Sequence, residues 1–224
     1  MEEVAAATPP PSDYAADAFR LGWRWVPRPL ADGTVDWDQV PLTLEEVLHP
    51  EEGSVIVQNT VHDRDWRYLA GVLKGRYGDA PGVEVFCDLP IYWDVPGLRH
   101  HSPDVAVVFG VRQRREVWSS FHVAREGVRP ALIVEVVSPD YRQLDVVTKV
   151  DQYHQARVPF YAVVDRQREE GPPRLLGYRY APGGWVELAA DDQGRLLLEP
   201  VGLLLGTRDN RVVLYDAQTG EELG

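Results

Sequence analysis

The sequence predicts an α/β fold in which a mixed sheet is flanked by helices and extended by antiparallel strands near the C-terminus. Residues 104–165 contain, in order, two apolar strand segments, an amphipathic helix and a third strand segment. The segments ALIVEVV and VPFYAVVD are nearly continuous apolar runs, which is typical of strands covered on both faces. Beyond residue 170, strand segments alternate with Gly, Pro and Asn turns, which indicates hairpins.

Residues 1–40 are predicted to form an N-terminal extension that is partly disordered, and residues 41–224 a single domain. The stretch TPPPS favours neither helix nor strand. The segment LGWRWVPRPL mixes tryptophan with proline, which suggests an extended segment lying against the domain. In PLTLEEVLHPEEG, Thr43 and Glu46 have the spacing of a capping box, so a short helix is expected there.

The remaining elements follow from the spacing of apolar and turn residues. TVHDRDWRYLAGVLKGRYG places apolar residues on one stripe of a helix, and LDVVTKVDQYHQA predicts another helix. The predicted strands are, in order, SVIVQN, VEVFCDLPIYW with a proline interruption, SPDVAVVFG, ALIVEVVS, VPFYAVVD, RLLGYRY, GWVELAA, GRLLLEP and RVVLYD. We expect the strands beyond residue 170 to form either an antiparallel extension of the main sheet or a small lobe on it.

The composition is that of a soluble globular protein, since 44% of the residues are hydrophobic and 26% are charged. The single cysteine, Cys87, excludes an internal disulfide and suits a reducing cytoplasm. The start MEEVAAATPPPSDY lacks the basic and apolar regions of a signal peptide. No apolar run approaches the roughly 20 residues that span a bilayer. We therefore expect a cytoplasmic protein without membrane contact.

The net charge of −12 argues against tight, non-specific binding of nucleic acid by the whole surface. It leaves room for a local basic groove, and metal-binding carboxylates would add to the negative count. The run Arg112, Arg114 and Arg115 is one candidate basic patch. The same run also fits a solvated loop, which the sequence alone favours.

Glu135 is the first residue that points to chemistry, because it lies inside the apolar strand ALIVEVV. A buried, unpaired carboxylate costs several kcal/mol, so a metal, a base or exposure to solvent must compensate it. Asp104 begins another predicted strand, directly after Pro103. If the two strands pair, the carboxylates lie side by side, where a divalent cation such as Mg²⁺ or Mn²⁺ would relieve their repulsion. The backbone carbonyl of Val136 is a candidate third oxygen ligand.

Lys149 is the third candidate, on the helix that follows the Glu135 strand. Taken alone, it fits a lysine on the solvent-facing side of an amphipathic helix. The strand and the helix are consecutive, however, so the helix should fold back over the sheet. The ammonium can then reach the reacting centre and balance charge on a phosphate in its transition state.

The chain resembles the Uma-type restriction endonucleases, a branch of the PD-(D/E)xK nuclease superfamily. The resemblance runs from about Leu42 to the end and rests on Pro103-Asp104, Glu135-Val136-Val137-Ser138-Pro139, Asp145, Lys149, Tyr153 and VPFYAVVD. It implies a restriction-endonuclease-like sheet, divalent-metal-dependent hydrolysis of DNA, and metal binding by Asp104 and Glu135. The superfamily's usual lysine position is occupied by Val137, and in this branch Lys149 on the helix takes that part.

Four further residues are candidate supports of the catalytic group. Asp145 lies one helical turn before Lys149, and either supports the site or only the helix. Tyr153, one turn after Lys149, either orients the lysine or packs in the core. Gln152 is expected to face the site, and His62 lies on the first long helix, where related nucleases place a polar or acidic group. His100 and His101 are expected in a loop.

These residues lead to one main functional hypothesis and two alternatives. The main hypothesis is a DNA endonuclease whose catalytic residues are Asp104, Glu135 and Lys149, acting as a homodimer because cutting both strands requires two sites. The first alternative is a nuclease-fold binding or scaffold module with weak or no catalysis. The second is an RNA or nucleotide phosphodiesterase that uses the same residues.

Overall fold

The computed structural model describes residues 17–137, 142, 144–166 and 171–224, without the side chains of residues 144 and 145. The TPPPS stretch, expected to be disordered, and the Ser138-Pro139 turn lie outside the described residues. The chain divides into two compact units, residues 1–57 and 58–224.

The first unit is a small antiparallel sheet with one short helix. Strands β1 (Gly22–Pro29) and β2 (Val35–Pro41) form a hairpin, and β3 (Val55–Ile56) pairs with the other edge of β1. Most of LGWRWVPRPL is the first strand of this hairpin, which is extended as we expected. Because β3 pairs with β1, this unit extends to residue 57, beyond the boundary at residue 40 predicted from the sequence.

The predicted capping box is present at the start of helix α1 (Leu44–Leu48). The Thr43 hydroxyl accepts a hydrogen bond from the Glu46 backbone N–H, and the Glu46 carboxylate accepts one from the Thr43 backbone N–H at 2.8 Å. These two bonds satisfy donors that a helix start otherwise leaves unpaired. The Thr43 N–H lowers the pKa of the Glu46 carboxyl to about 2, with further contributions from Arg24 and from the Thr43 hydroxyl.

The second unit is built on a six-stranded mixed sheet in the order β11-β10-β9-β8-β6-β4. Within this six-stranded sheet β8 and β9 run parallel, and the other neighbouring strands pair antiparallel. This arrangement confirms the predicted α/β class. The strands are β4 (Val83–Phe86), β6 (Val105–Phe109), β8 (Pro130–Val137), β9 (Phe160–Asp165), β10 (Arg174–Arg179) and β11 (Val186–Glu187), and the small parallel pair beside them is β5 (Ile91–Tyr92) and β7 (Phe121–His122).

The helices of this unit agree with the apolar periodicity of the sequence. Helix α2 (Thr60–Tyr77) begins at the cap Asn59, whose side chain accepts two backbone N–H bonds. A short α3 (Val123–Glu126) follows β7. The second predicted long helix starts as a π-helical turn at Leu144–Thr148 and continues as α4 (Lys149–Gln155).

The C-terminal strands extend the main sheet and also form a lobe. Strands β10 and β11 are the antiparallel extension, while β12 (Leu196–Leu198), β13 (Leu203–Arg208) and β14 (Arg211–Asp216) form a separate antiparallel sheet. Strand β13 was not predicted from the sequence. The predicted strand GWVELAA is present only as the two residues of β11.

Two apolar clusters cover opposite faces of the main sheet. One contains Val105, Val134 and Val136 with residues of α2, and the other contains Ala106 and Val137 with residues of α4. Because successive side chains of a strand alternate between faces, the residue between Val134 and Val136 faces the side of α4.

Candidate active site

The strand register brings Asp104 and Glu135 together. Val105 of β6 pairs with Val134 of β8, so continuing the antiparallel ladder by one residue places Asp104 opposite Glu135. Opposed side chains of this kind have Cβ atoms about 5 Å apart. Consistently, the Asp104 backbone N–H points to Oε2 of Glu135 at 3.4 Å. The two carboxylates are therefore neighbours, as expected from the sequence.

The Asp104 carboxylate is buried, with 6% of the residue exposed, and Oδ2 has two protein partners. The Val136 backbone N–H donates to Oδ2 at 2.7 Å, and Nε2 of His62 lies 3.3 Å from the same oxygen. Burial alone would raise the pKa of Asp104. The ring of His62, the ammonium of Lys149 and the Val136 N–H outweigh burial and hold that pKa below its usual value. The environment therefore favours the ionised carboxylate.

Glu135 is 2% exposed, and one of its oxygens contacts two residues of α4. The Tyr153 hydroxyl donates to Oε1 at 2.7 Å, and Nζ of Lys149 lies 3.1 Å from the same atom. The helix thus folds back over the sheet, and the Lys149 ammonium reaches the carboxylate pair. These contacts offset the desolvation free energy of a carboxylate inside an apolar strand.

The backbone of Val136 also faces Asp104. In an antiparallel ladder a residue exchanges both its N–H and its C=O with the same neighbouring strand, so the two groups point to one side. The Val136 N–H is bonded to Asp104, which means that its carbonyl is directed towards the same side. Asp104 itself lies one residue before β6, which begins at Val105.

A second group of contacts surrounds Tyr153, the residue that donates to Glu135. Trp93 donates its indole N–H to Nδ1 of His101 at 2.7 Å, and Nε2 of His101 lies 2.6 Å from Oε1 of Gln152. Because tryptophan only donates, Nδ1 of His101 must accept, and its Nε2–H donates a hydrogen bond to Oε1 of Gln152. Tyr153 packs against both rings. His101 forms an isolated bridge to Ile91 and is fully buried, whereas the sequence suggested a loop histidine.

The predicted supporting residues have different fates. His62 contacts Asp104, and Gln152 contacts His101. Tyr153 is fully buried in the core, which was one of its two expected roles, and its hydroxyl contacts Glu135. The Asp145 side chain lies outside the described residues.

A third carboxylate, Asp88, was not predicted from the sequence to lie at this site. Phe86 of β4 pairs with Ala106 of β6, and two residues further on the Asp88 N–H donates to the carbonyl of Pro103, which places Asp88 beside the residue before Asp104. The protein around the carboxyl desolvates it, and together with the charge of Asp104 this raises the pKa of Asp88 to about 7, although the residue is exposed at the surface. The positive groups of His62 and Lys149 act in the opposite direction. Only the register of β4 against β6 reveals this neighbour.

The donor set at Asp104 and Glu135 fits a small, hard divalent cation. Magnesium needs only one or two protein carboxylates, since water and substrate oxygens complete its octahedron. No residue that the structure describes hydrogen-bonds to Oδ1 of Asp104, so this oxygen can serve as a ligand. Among the described ranges, no three His, Cys, Asp or Glu side chains form a ready metal cage. A cation here would therefore retain several water ligands.

The candidate basic patch is largely engaged by the protein itself. Arg114 donates to the backbone carbonyl of Gly78. Arg115 pairs with Glu126 at 2.6 Å and stacks over the ring of Trp118. These contacts support the alternative that the run forms an ordinary surface loop. In the described part of the chain, no helix is long and apolar enough to cross a membrane.

Comparison with known proteins points to nucleases. The model of the family Uma2, described as "Putative restriction endonuclease", matches residues 51–209. Among solved structures, the chain is similar to one described as a putative nuclease belonging to DUF820 from Anabaena variabilis. That match has a TM-score of 0.50 and 14% identity, and covers 72% of this chain and 91% of the other, which shows a shared nuclease-like fold. No curated protein matches the chain.

Proposed function

Because the chain belongs to the Uma2 family, described as putative restriction endonucleases, we propose that it is a divalent-metal-dependent endonuclease that hydrolyses phosphodiester bonds in DNA. The observation that carries this proposal is the contact network of Asp104, Glu135 and Lys149. Two ionisable carboxylates and an ammonium group meet where β6 begins and α4 passes over the sheet. Charges of both signs at one point match the needs of phosphoryl chemistry.

Asp104 and Glu135 would hold the cation, Mg²⁺ or Mn²⁺, with the Val136 carbonyl as a third oxygen. When bound, such a cation neutralises phosphate charge and makes water more acidic. The protein's own groups do the rest. Tyr153 and the Val136 N–H fix the two carboxylates, each through a hydrogen bond of 2.7 Å. These bonds keep the ligand oxygens in place without rearrangement during the reaction.

Lys149 has the role of stabilising charge on the scissile phosphate. Hydrolysis adds water to phosphorus and breaks one P–O bond, leaving a phosphate monoester at one end and a hydroxyl at the other. Negative charge spreads over the phosphate oxygens as the bond breaks. An ammonium 3.1 Å from Glu135 lies next to the place where that charge develops.

The test is cleavage of supercoiled plasmid DNA with Mg²⁺ or Mn²⁺ by the wild type, Asp104→Asn and Glu135→Gln. Both substitutions keep the shape of the side chain and remove its charge. We expect each to lower the cleavage rate by at least about 100-fold. Glu187→Gln makes the same change at an exposed glutamate of β11 and should cleave normally. Undiminished, metal-dependent cleavage by folded Glu135→Gln would overturn the proposal.

The form of the products tests the proposed homodimer, and the substrate range tests the preference for DNA. One active site nicks one strand, so linear plasmid without accumulated nicked circles supports two sites acting together. Parallel reactions with RNA and with cyclic nucleotides separate the DNA endonuclease from a phosphodiesterase of another class. Faster turnover of either substrate would replace DNA as the proposed substrate.

A nuclease-fold binding module is the second candidate, and three observations favour it. Protein groups already contact both carboxylates, and no three-residue metal cage exists among the described residues. The net charge of −12 points the same way. Calorimetric titration with Mg²⁺ and Mn²⁺ distinguishes the two functions. A folded protein that binds neither cation at millimolar concentration would favour the binding module.

A further inference from the structure

Three carboxylates come from three neighbouring strands or the residues next to them. The register of β6 against β8 places Asp104 opposite Glu135. Asp88 follows β4, which pairs with β6 as far as Phe86 and Ala106. Adjacent strands are about 4.8 Å apart, and Asp88 is on the side of the sheet edge formed by β4.

The backbone holds Asp88 in its place. Its N–H donates to the carbonyl of Pro103 at 3.0 Å, next to Asp104. Its φ angle is 50°, in the left-handed region that few residues other than Gly, Asn and Asp adopt readily. The backbone of Asp88 is therefore anchored to the segment that carries Asp104.

Asp88 differs from the other two carboxylates in its exposure. Asp104 and Glu135 are 6% and 2% exposed, whereas Asp88 lies at the surface. Its ionisation is nevertheless coupled to the charges of Asp104, His62 and Lys149. It is thus a carboxylate on the solvent side of the same electrostatic cluster.

We propose that Asp88 binds the divalent cation of the active site from the solvent side, by accepting hydrogen bonds from the water ligands of that cation. This rests on the proposed function. Magnesium usually keeps several of its waters, and a site without a three-residue cage depends on groups that hold those waters. With Asp88 the cluster has three carboxylates against the ammonium of Lys149 and the ring of His62, so acidic groups outnumber basic ones and the cluster attracts a cation.

The competing explanation is that Asp88 serves only as a turn residue suited to a left-handed backbone. Asparagine adopts that conformation equally well and has almost the same shape. Asp88→Asn therefore removes the charge and keeps the turn. If the residue is only a turn former, the substitution leaves cation binding unchanged.

The experiment is calorimetric titration of Mn²⁺ and Mg²⁺ into the wild type, Asp88→Asn and Asp79→Asn, without DNA. Asp79 is an exposed aspartate before the opposite end of β4, so Asp79→Asn is the matched control. We expect Asp88→Asn to weaken cation binding about 10-fold to 100-fold, as loss of an outer partner of a metal site does. Thermal melting of the metal-free proteins checks that both variants are folded.

The outcomes are distinct. If the wild type and Asp88→Asn bind the cation with dissociation constants within about twofold of each other, the role of Asp88 is overturned and the proposed function stands. If the folded wild type binds no cation, both proposals fail. Weakened binding in Asp88→Asn with normal binding in Asp79→Asn supports the inference.

Discussion

Nζ of Lys149 lies 3.1 Å from Oε1 of Glu135, and this lysine is one of only two in the chain. The other is Lys74, and arginine supplies every remaining member of the 23 basic residues. An ammonium is a compact point charge, whereas a guanidinium is a broad planar fork. A lysine in an arginine-rich chain, directed at a buried carboxylate, suggests that the compact charge is required.

Lys149→Arg tests whether position or mere charge matters. The variant keeps a positive charge beside Glu135 but moves it and spreads it over three nitrogens. We expect metal-dependent cleavage to fall on the order of 100-fold. Plasmid cleavage rates, together with thermal melting to confirm folding, give the measurement. Lys74→Arg is the control, and wild-type cleavage by Lys149→Arg would contradict this role.

Tyr153→Phe should destabilise the protein and impair the site together. The substitution removes the hydroxyl that donates to Glu135 at 2.7 Å. A hydrogen bond to a charged group contributes about 1.5–3 kcal/mol, so the free energy of unfolding in urea should fall by that amount. Cleavage should fall as well, because one carboxylate loses its fixed orientation.

Tyr77→Phe is the matched control for this prediction. The Tyr77 hydroxyl donates to the backbone carbonyl of Val201 at 2.8 Å, in the cluster on the other face of the sheet. Its loss should cost about 1 kcal/mol and leave cleavage unchanged. Equal loss of cleavage in the two variants would mean that Tyr153 acts through stability alone.

The ion pair of Arg166 and Asp65 is predicted to fix the helix that carries His62. Arg166 donates to Oδ2 of Asp65 at 2.8 and 2.5 Å, and the two residues are 4% and 1% exposed. Arg166→Met removes one charged partner of the buried Asp65, which keeps its contact with Arg64. We expect the free energy of unfolding in urea to fall by about 3–5 kcal/mol.

An exposed ion pair supplies the comparison. Glu222→Gln breaks the contact with Arg208, whose side chain is 59% exposed, and should change the free energy of unfolding by less than about 1 kcal/mol. Similar effects of the two substitutions would contradict the structural importance of Arg166.

The raised pKa of Asp88 predicts how stability depends on pH in the metal-free protein. Its unfolded pKa is about 4 and its folded pKa about 7, so between these values the folded state binds more protons. Stability contributed by this group is therefore present below pH 4 and is lost as the pH rises through 7. The groups that act on it are Asp104, which raises the pKa, and His62, Lys149 and Lys74, which lower it.

Asp88→Asn lacks this titration. Its free energy of unfolding should match that of the wild type near pH 4 and exceed it increasingly towards pH 8. Urea denaturation of both proteins across that range, with a chelator present, is the measurement. A difference that stays constant with pH would contradict the assignment.

The sequence allowed the fold class and the carboxylate pair to be predicted, because nearly continuous apolar runs indicate buried strands. Asp104 and Glu135 stand out as charges at or in such strands, and strands close in sequence tend to pair. The reach of Lys149 followed from the order of strand and helix. These features depend on local pattern and short connections.

Other features depend on register and on longer connections, which the pattern does not encode. Asp88 comes close to Asp104 because β4 pairs with β6 and the Asp88 N–H bonds Pro103, across an intervening segment that includes β5. The bond from Tyr153 to Glu135 requires the exact turn at which α4 emerges from its π-helical start. The strand β3 joins the first unit through a pairing of two residues with β1.

The most direct test of the proposed metal site is a crystal structure of the protein soaked in Mn²⁺, with anomalous diffraction to locate the ion. We predict one anomalous peak in contact with carboxylate oxygens of Asp104 and Glu135, with Lys149 beside it and water between the ion and Asp88. Full Mn²⁺ occupancy elsewhere, or no peak at the carboxylate pair at a saturating concentration, would contradict it.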